Sequence, residues 1–145
     1  MSRNTDKLKI LKKSREFSVV VCRVVEHFNK SYKYTIGDRV VLHCENLREH
    51  IIDANREIRP DKAAEFVYSA LRDLDQIEDK FKMALALGLM SIDQQAMLNE
   101  IIDDIRGDAR GWRSYFLKKK TRDGRNDDDL PPDSDSDGGP SPESL

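Results

Sequence analysis

Proline and glycine are scarce, five and seven in 145 residues, and four of the five prolines fall after residue 120. The rest of the chain therefore lacks the turn formers that a sandwich, a barrel or a collagen-like array requires. Cysteine is nearly absent. Cys22 and Cys44 are too few for a disulfide framework and lack zinc-type spacing, so buried, inert thiols in a reducing compartment are expected. Long apolar runs are missing too: none approaches the roughly 18 to 20 residues of a membrane-spanning helix. Residues 1–13 have no apolar centre of a secretory signal, so the expectation is a cytoplasmic protein without membrane contact.

Catalytic signatures are equally thin. There is no glycine-rich phosphate loop and no nucleophile elbow. A di-metal bundle needs inward Glu-x-x-His pairs, but Val24, Val40 and Leu47 stand three residues before His27, His43 and His50. The acid pairs Asp73/Asp75 and Asp103/Asp104 read as solvated helix faces. The sequence thus predicts no catalytic residue, no metal and no cofactor.

What is present is helical periodicity in a chain long enough for one domain. Within residues 14–30, Phe17, Val20, Val21, Val24, Val25 and Phe28 draw one stripe at 3.6-residue spacing. Thr35 is placed to cap a second helix, with Ile36, Val40, Cys44, Leu47, Ile51 and Ala54 inward, ending before Pro60. Pro60 suits the first turn of a third, whose stripe runs from Val67 through Leu74 and Phe81 to Leu85, with Gly88 at its end. Ser91 and Gln94 have capping-box spacing and open a fourth, with Leu98, Ile102, Ile105, Ala109, Trp112 and Phe116 inside. Similar lengths and short connections predict an all-α, antiparallel up-down four-helix bundle over residues 1–120. Val19, Val41, Ile52, Leu89 and Met90 fall off the stripes, and the patches they would leave point to self-association.

The net charge of −2 averages two unlike segments. Residues 121–145 hold two arginines against eight acids, which leaves a formal +4 for residues 1–120. That C-terminal segment has only two aliphatic residues, so a disordered acidic tail is expected. Two readings of it stand: a polyanion competing for the basic face of the same protein, or a solubilising extension. Off the apolar stripes lie Arg39, Arg48, Arg56, Arg72, Lys80, Lys82, Arg106, Arg110 and Arg113, while Lys7, Lys9, Lys12, Lys13 and Lys118 to Lys120 crowd the ends. Repeated around a homo-oligomer, such cations would bind nucleic acid through counterion release without reading its sequence. Alternatively each pairs with a nearby acid, as Glu78 would with Lys82.

The runs Tyr32-Lys33-Tyr34-Thr35-Ile36-Gly37-Asp38-Arg39, Ile51-Ile52-Asp53-Ala54-Asn55 and Lys82-Met83-Ala84-Leu85-Ala86-Leu87-Gly88, then Ser91 with Gln94 and Gln95, and Gly111-Trp112, together resemble the accessory variability determinant (Avd) family of diversity-generating retroelements. The match spans about residues 14–117. That family is similar in turn to the four-helix proteins encoded in intervening sequences of 23S ribosomal RNA genes. The resemblance implies a non-catalytic adaptor: a basic, ring-shaped homopentamer that binds RNA and RNA/DNA hybrid with little sequence preference and associates with the retroelement's reverse transcriptase during mutagenic retrohoming. The expected nucleic-acid-binding residues are Arg39, Arg48, Arg72, Lys80, Lys82, Arg106, Arg110 and Arg113. Two departures stand out. Where the family often has two arginines one turn apart, Lys82 matches the second and Glu78 puts an acid at the first; Arg106 before Gly107 and Arg110 before Gly111 shift the cations near Trp112 by one residue.

Overall fold

A computed structural model describes residues 8–123, with side chains to residue 120. Four long helices form an all-α bundle: α1 Lys9–Glu26, α2 Asp38–Arg56, α3 Pro60–Ala86 and α4 Ile92–Asp123. The α2–α3 and α3–α4 interfaces are the broadest, and α1 closes the bundle against α2 and, more lightly, α4. Connections of a few residues at 57–59 and 87–91 force α2, α3 and α4 into antiparallel succession. Every position of the fourth apolar stripe, from Leu98 to Phe116, is buried. In the third, Val67, Leu74, Ile77 and Phe81 are buried, while Leu71 and Leu85 pack against the core from its margin.

The termini of α3 and α4 follow the local chemistry. Pro60 occupies the first turn of α3, where its missing N–H costs no hydrogen bond. At the other end Gly88 adopts φ +73°, and the Leu89 and Gly88 N–H groups donate to the Ala84 and Leu85 carbonyls, a Schellman closure. Ser91 and Gln94 then cap α4 reciprocally: the Ser91 N–H donates to Gln94 Oε1 at 3.0 Å and the Gln94 N–H to Ser91 Oγ at 3.1 Å.

The first half departs from expectation in three places. α1 begins at Lys9 and not at residue 14, because Ile10, Leu11 and Ser14 are buried and prolong the Phe17 stripe toward the N-terminus. Thr35 does not cap α2. Asn29 does the capping instead, accepting the Ser31 N–H at 2.9 Å, and a helical lead-in Lys30–Tyr32 passes through a π-helical turn Lys33–Gly37 into α2. Thr35 donates its hydroxyl to the Tyr32 carbonyl within that turn. Gly37 lets the turn approach α1: a Cβ there would lie 2.7 Å from Val25 Cγ1. Third, Cys22 is exposed, whereas Cys44 is buried and its thiol is pushed up to about 12 by that burial.

Of the off-stripe apolar residues, Met90 is buried, Val41, Ile52 and Leu89 pack against the core, and Val19 remains exposed. α4 continues through Asp123, so residues 121–123 are helical and not part of a tail. The expected acidic, disordered segment otherwise lies outside the described residues. No helix among the described residues is long and apolar enough to cross a membrane.

Candidate nucleic-acid interface

The antiparallel packing sorts the candidate cations into three environments. Arg39, Arg72, Lys82 and Arg110 are exposed and form no ion pair among the described residues. They stand on the outer faces of α2, α3 and α4, where a phosphate chain can reach them without breaking any internal contact.

Lys80 and Arg39 meet around His43 on the α2–α3 seam. His43 is half-buried, and its pKa is lowered by desolvation first and by the charges of Lys80 and Arg39 after that, with Asp73 opposing. The Lys80 ammonium lies 3.8 Å from Asp79, a loose, solvent-screened pair. Arg48, also on α2, is half-buried.

Arg106 and Arg113 are committed to the bundle itself. Arg106 donates from Nη2 to Glu78 Oε1 at 2.7 Å and to Asp75 Oδ1 at 3.1 Å, and from Nη1 to Asp103 Oδ1 at 2.7 Å. Its side chain is 12% exposed. Burial opposes its charge, but the hydrogen bonds it donates to Glu78 and Asp75 outweigh that and hold its pKa above the ordinary value. A guanidinium already held by three carboxylates has little attraction left for phosphate. Arg113 lies 5.4 Å from the centroid of the Tyr68 ring, a cation–π contact between α4 and the start of α3. It lines a groove of about 380 Å³ with Asp61, Glu65, Ser69 and Lys120, where the two signs are mixed.

Two further polar bridges were not legible as such. Lys13 on α1 reaches Asp108 at 2.7 Å and Asp104 at 3.0 Å on α4, and the Asp108 hydrogen bond raises its pKa. Asp73 is not a solvated face residue: it is buried, and its Oδ2 lies 2.6 Å from His50 Nδ1 across the α2–α3 seam. Desolvation raises the Asp73 pKa while His50 pulls it back down. The clue in the sequence was its place between Ala70, Leu74 and Ile77 on the inner half of α3. Tyr68, one residue past Val67 on the stripe, was the corresponding hint for the Arg113 contact. Among the described residues no group of three His, Cys, Asp or Glu side chains is placed to hold a metal ion. No protein-family model matches the chain, and neither does any curated protein.

Proposed function

We propose that this chain is a non-catalytic accessory protein of a diversity-generating retroelement, one that binds the reverse transcriptase and its template RNA or cDNA as a homo-oligomer, with a pentamer implied by the Avd resemblance. The observation that carries the nucleic-acid part is the set of exposed cations on α2, α3 and α4 that form no ion pair among the described residues, foremost Arg39, Arg72, Lys82 and Arg110. Spread over several helices and repeated by each subunit, they provide a sequence-blind electrostatic surface. Arg106 supports the proposal as a scaffold residue and not as a phosphate ligand. The chemistry would belong to the polymerase, with the bundle holding enzyme and template at high effective concentration.

The decisive test is co-purification. A reverse transcriptase encoded beside this chain's gene and near a duplicated repeat should be retained by the tagged protein, together with template RNA, through a wash at about 150 mM salt. Loss of the enzyme at every salt concentration, or a genomic neighbourhood with no such gene, removes the proposal. The second reading is a stand-alone bundle of the 23S ribosomal RNA intervening-sequence type with a structural or interaction role. It is favoured by Arg106 and Lys13, two cations used to tie helices together.

A further inference from the structure

The contact between His50 and Asp73 fixes how α2 and α3 lie along each other, and the rest of their outer seam follows from it. Seven residues back on α2 stands His43, and seven residues forward on α3 stands Lys80. Seven residues are close to two full turns, so each step keeps its face, and in antiparallel helices both steps run the same way. His43 and Lys80 therefore stand opposite each other, as His50 and Asp73 do. Arg39 lies one turn before His43 on the same face of α2, and its charge and that of Lys80 both act on the imidazole. Three nitrogen-bearing side chains from two helices thus border one stretch of seam.

No acid closes this stretch firmly. Arg39 is exposed and forms no ion pair among the described residues. Lys80 has the loose 3.8 Å contact with its chain neighbour Asp79, and its side chain, 19% exposed, lies against the bundle. Asp73 is two turns away and engaged by His50. The ring of His43 therefore faces Asp73 and Lys80 from α3, with Asp79 beside the latter, and Arg39 from α2, with His50 beyond it. Its Nδ1 is sealed from solvent and has no hydrogen-bond partner. A proton added there becomes an unsatisfied N–H beside two cations, a cost that Asp73 alone opposes. An anion held between Arg39 and Lys80 would remove the larger part of that cost.

We propose that Arg39, His43 and Lys80 form one seat for a phosphate group on the outer α2–α3 seam, and that filling the seat draws one proton from solvent onto His43. The guanidinium fork of Arg39 matches two phosphate oxygens, and the Lys80 ammonium meets the group from the other helix. The seat rests on this geometry; that its phosphate belongs to an RNA backbone rests on the accessory-factor reading above. Near neutral pH the imidazole is uncharged and Asp79 offsets Lys80, so Lys82 and the other outer cations carry most of the attraction. The seat adds its share as pH falls.

The test follows the imidazole NMR signals of the full chain, labelled at histidine, from about pH 7.5 to about 5.5, with His43→Gln to identify those of His43. The probes are dimethyl phosphate, a diester that keeps one negative charge throughout, and inorganic phosphate, each against sodium chloride of equal ionic strength. In the diester the midpoint of the His43 titration should rise by at least about 0.5 in pH above its value in chloride. Arg39→Gln, a change at an exposed position, should raise the midpoint in chloride and abolish the further rise in the diester. Over the same range a fluorescent oligouridine of about 20 nucleotides should gain about threefold more affinity for the native chain than for His43→Gln. Equal midpoints in chloride and in both phosphate salts overturn the seat. A rise with inorganic phosphate alone upholds the seat and assigns it to free phosphate, not to a nucleic acid. An oligouridine gain that survives in His43→Gln overturns the proton uptake at His43. Should oligouridine bind at no pH, the accessory-factor reading fails, and the imidazole titrations alone decide the seat: a rise upholds it and its absence overturns it.

Discussion

Nη2 of Arg106 lies 2.7 Å from Oε1 of Glu78, which joins α4 to α3 through two of the positions at which the sequence departs from the pattern it resembles. The acid at 78 on α3 and the arginine at 106 on α4 neutralise each other across the helix interface. Removing the guanidinium leaves Glu78, which is only 29% exposed, facing two other carboxylates. Arg106→Gln should therefore cost about 1.5–3 kcal/mol, most of it from Glu78, since Asp75 and Asp103 are well solvated. Glu78→Arg should be worse than Glu78→Gln, because it opposes two guanidiniums. Urea denaturation of the single and double variants checks this: Glu78→Arg combined with Arg106→Glu should regain part of the loss, and strictly additive effects would refute the coupling.

His50 and Asp73 form a second pin, between α2 and α3. His50→Ala strands a buried carboxylate and should cost about 1–3 kcal/mol. The pH dependence follows from the raised Asp73 pKa. The folded state binds this proton more readily than the unfolded chain, so the contribution is full below the ordinary 3.8 and is lost as pH rises through the raised folded value. Asp73→Asn keeps an acceptor for the imidazole and removes the titration. As pH rises from the ordinary 3.8, and below the usual histidine range, the wild-type urea midpoint should fall relative to that of Asp73→Asn. A gap that stays constant or moves the other way shows that Asp73 is not held as described.

The contrast between the halves of the molecule explains what was legible. α3 and α4 are long, their apolar stripes keep one period for about five turns, and their ends carry Pro60, Gly88 and the Ser91–Gln94 box, each of which acts within a few residues. Such signals need no knowledge of the partner helix. The entry to α2 does need it: Asn29 and Thr35 are both competent caps, and the choice between them is made by Gly37 closing on Val25 of another helix. The cations failed to sort for the same reason. Arg106 and Arg110 are four residues apart on one helix, yet only Arg106 faces Asp75 and Glu78, and that depends on the α3–α4 register.

Gly37 is needed for space and not for backbone freedom, since its φ of −59° is open to any residue. A methyl group there would sit 2.7 Å from Val25 Cγ1, and Val25 is 6% exposed with a stiff, β-branched side chain. Overpacking of this kind costs about 1–3 kcal/mol, and the better helix propensity of alanine returns at most about 1. Gly37→Ala should lower thermal stability, and Val25→Ala added to it should cost less than it does in the native background. Thermal melts of the four proteins decide the point; full additivity would mean that the turn moves away freely.

Reversal of the outer charges separates binding from folding. Lys82 is exposed and unpaired among the described residues, whereas Lys80 is 19% exposed and lies beside Asp79, so the two should contribute unequally. Lys80→Glu with Lys82→Glu should weaken retention of a single-stranded RNA by at least about tenfold at about 50 mM salt and reduce the salt slope by about one to two. Lys82→Glu alone should account for most of this effect. Helicity and assembly should not change, because neither ammonium ties two helices together. Arg106→Gln provides the opposite control: its urea midpoint should drop while its RNA affinity and salt slope stay near wild type. An RNA affinity that follows Arg106 and ignores Lys82 would place the phosphate path on the α3–α4 seam and take the outer cations out of the interface.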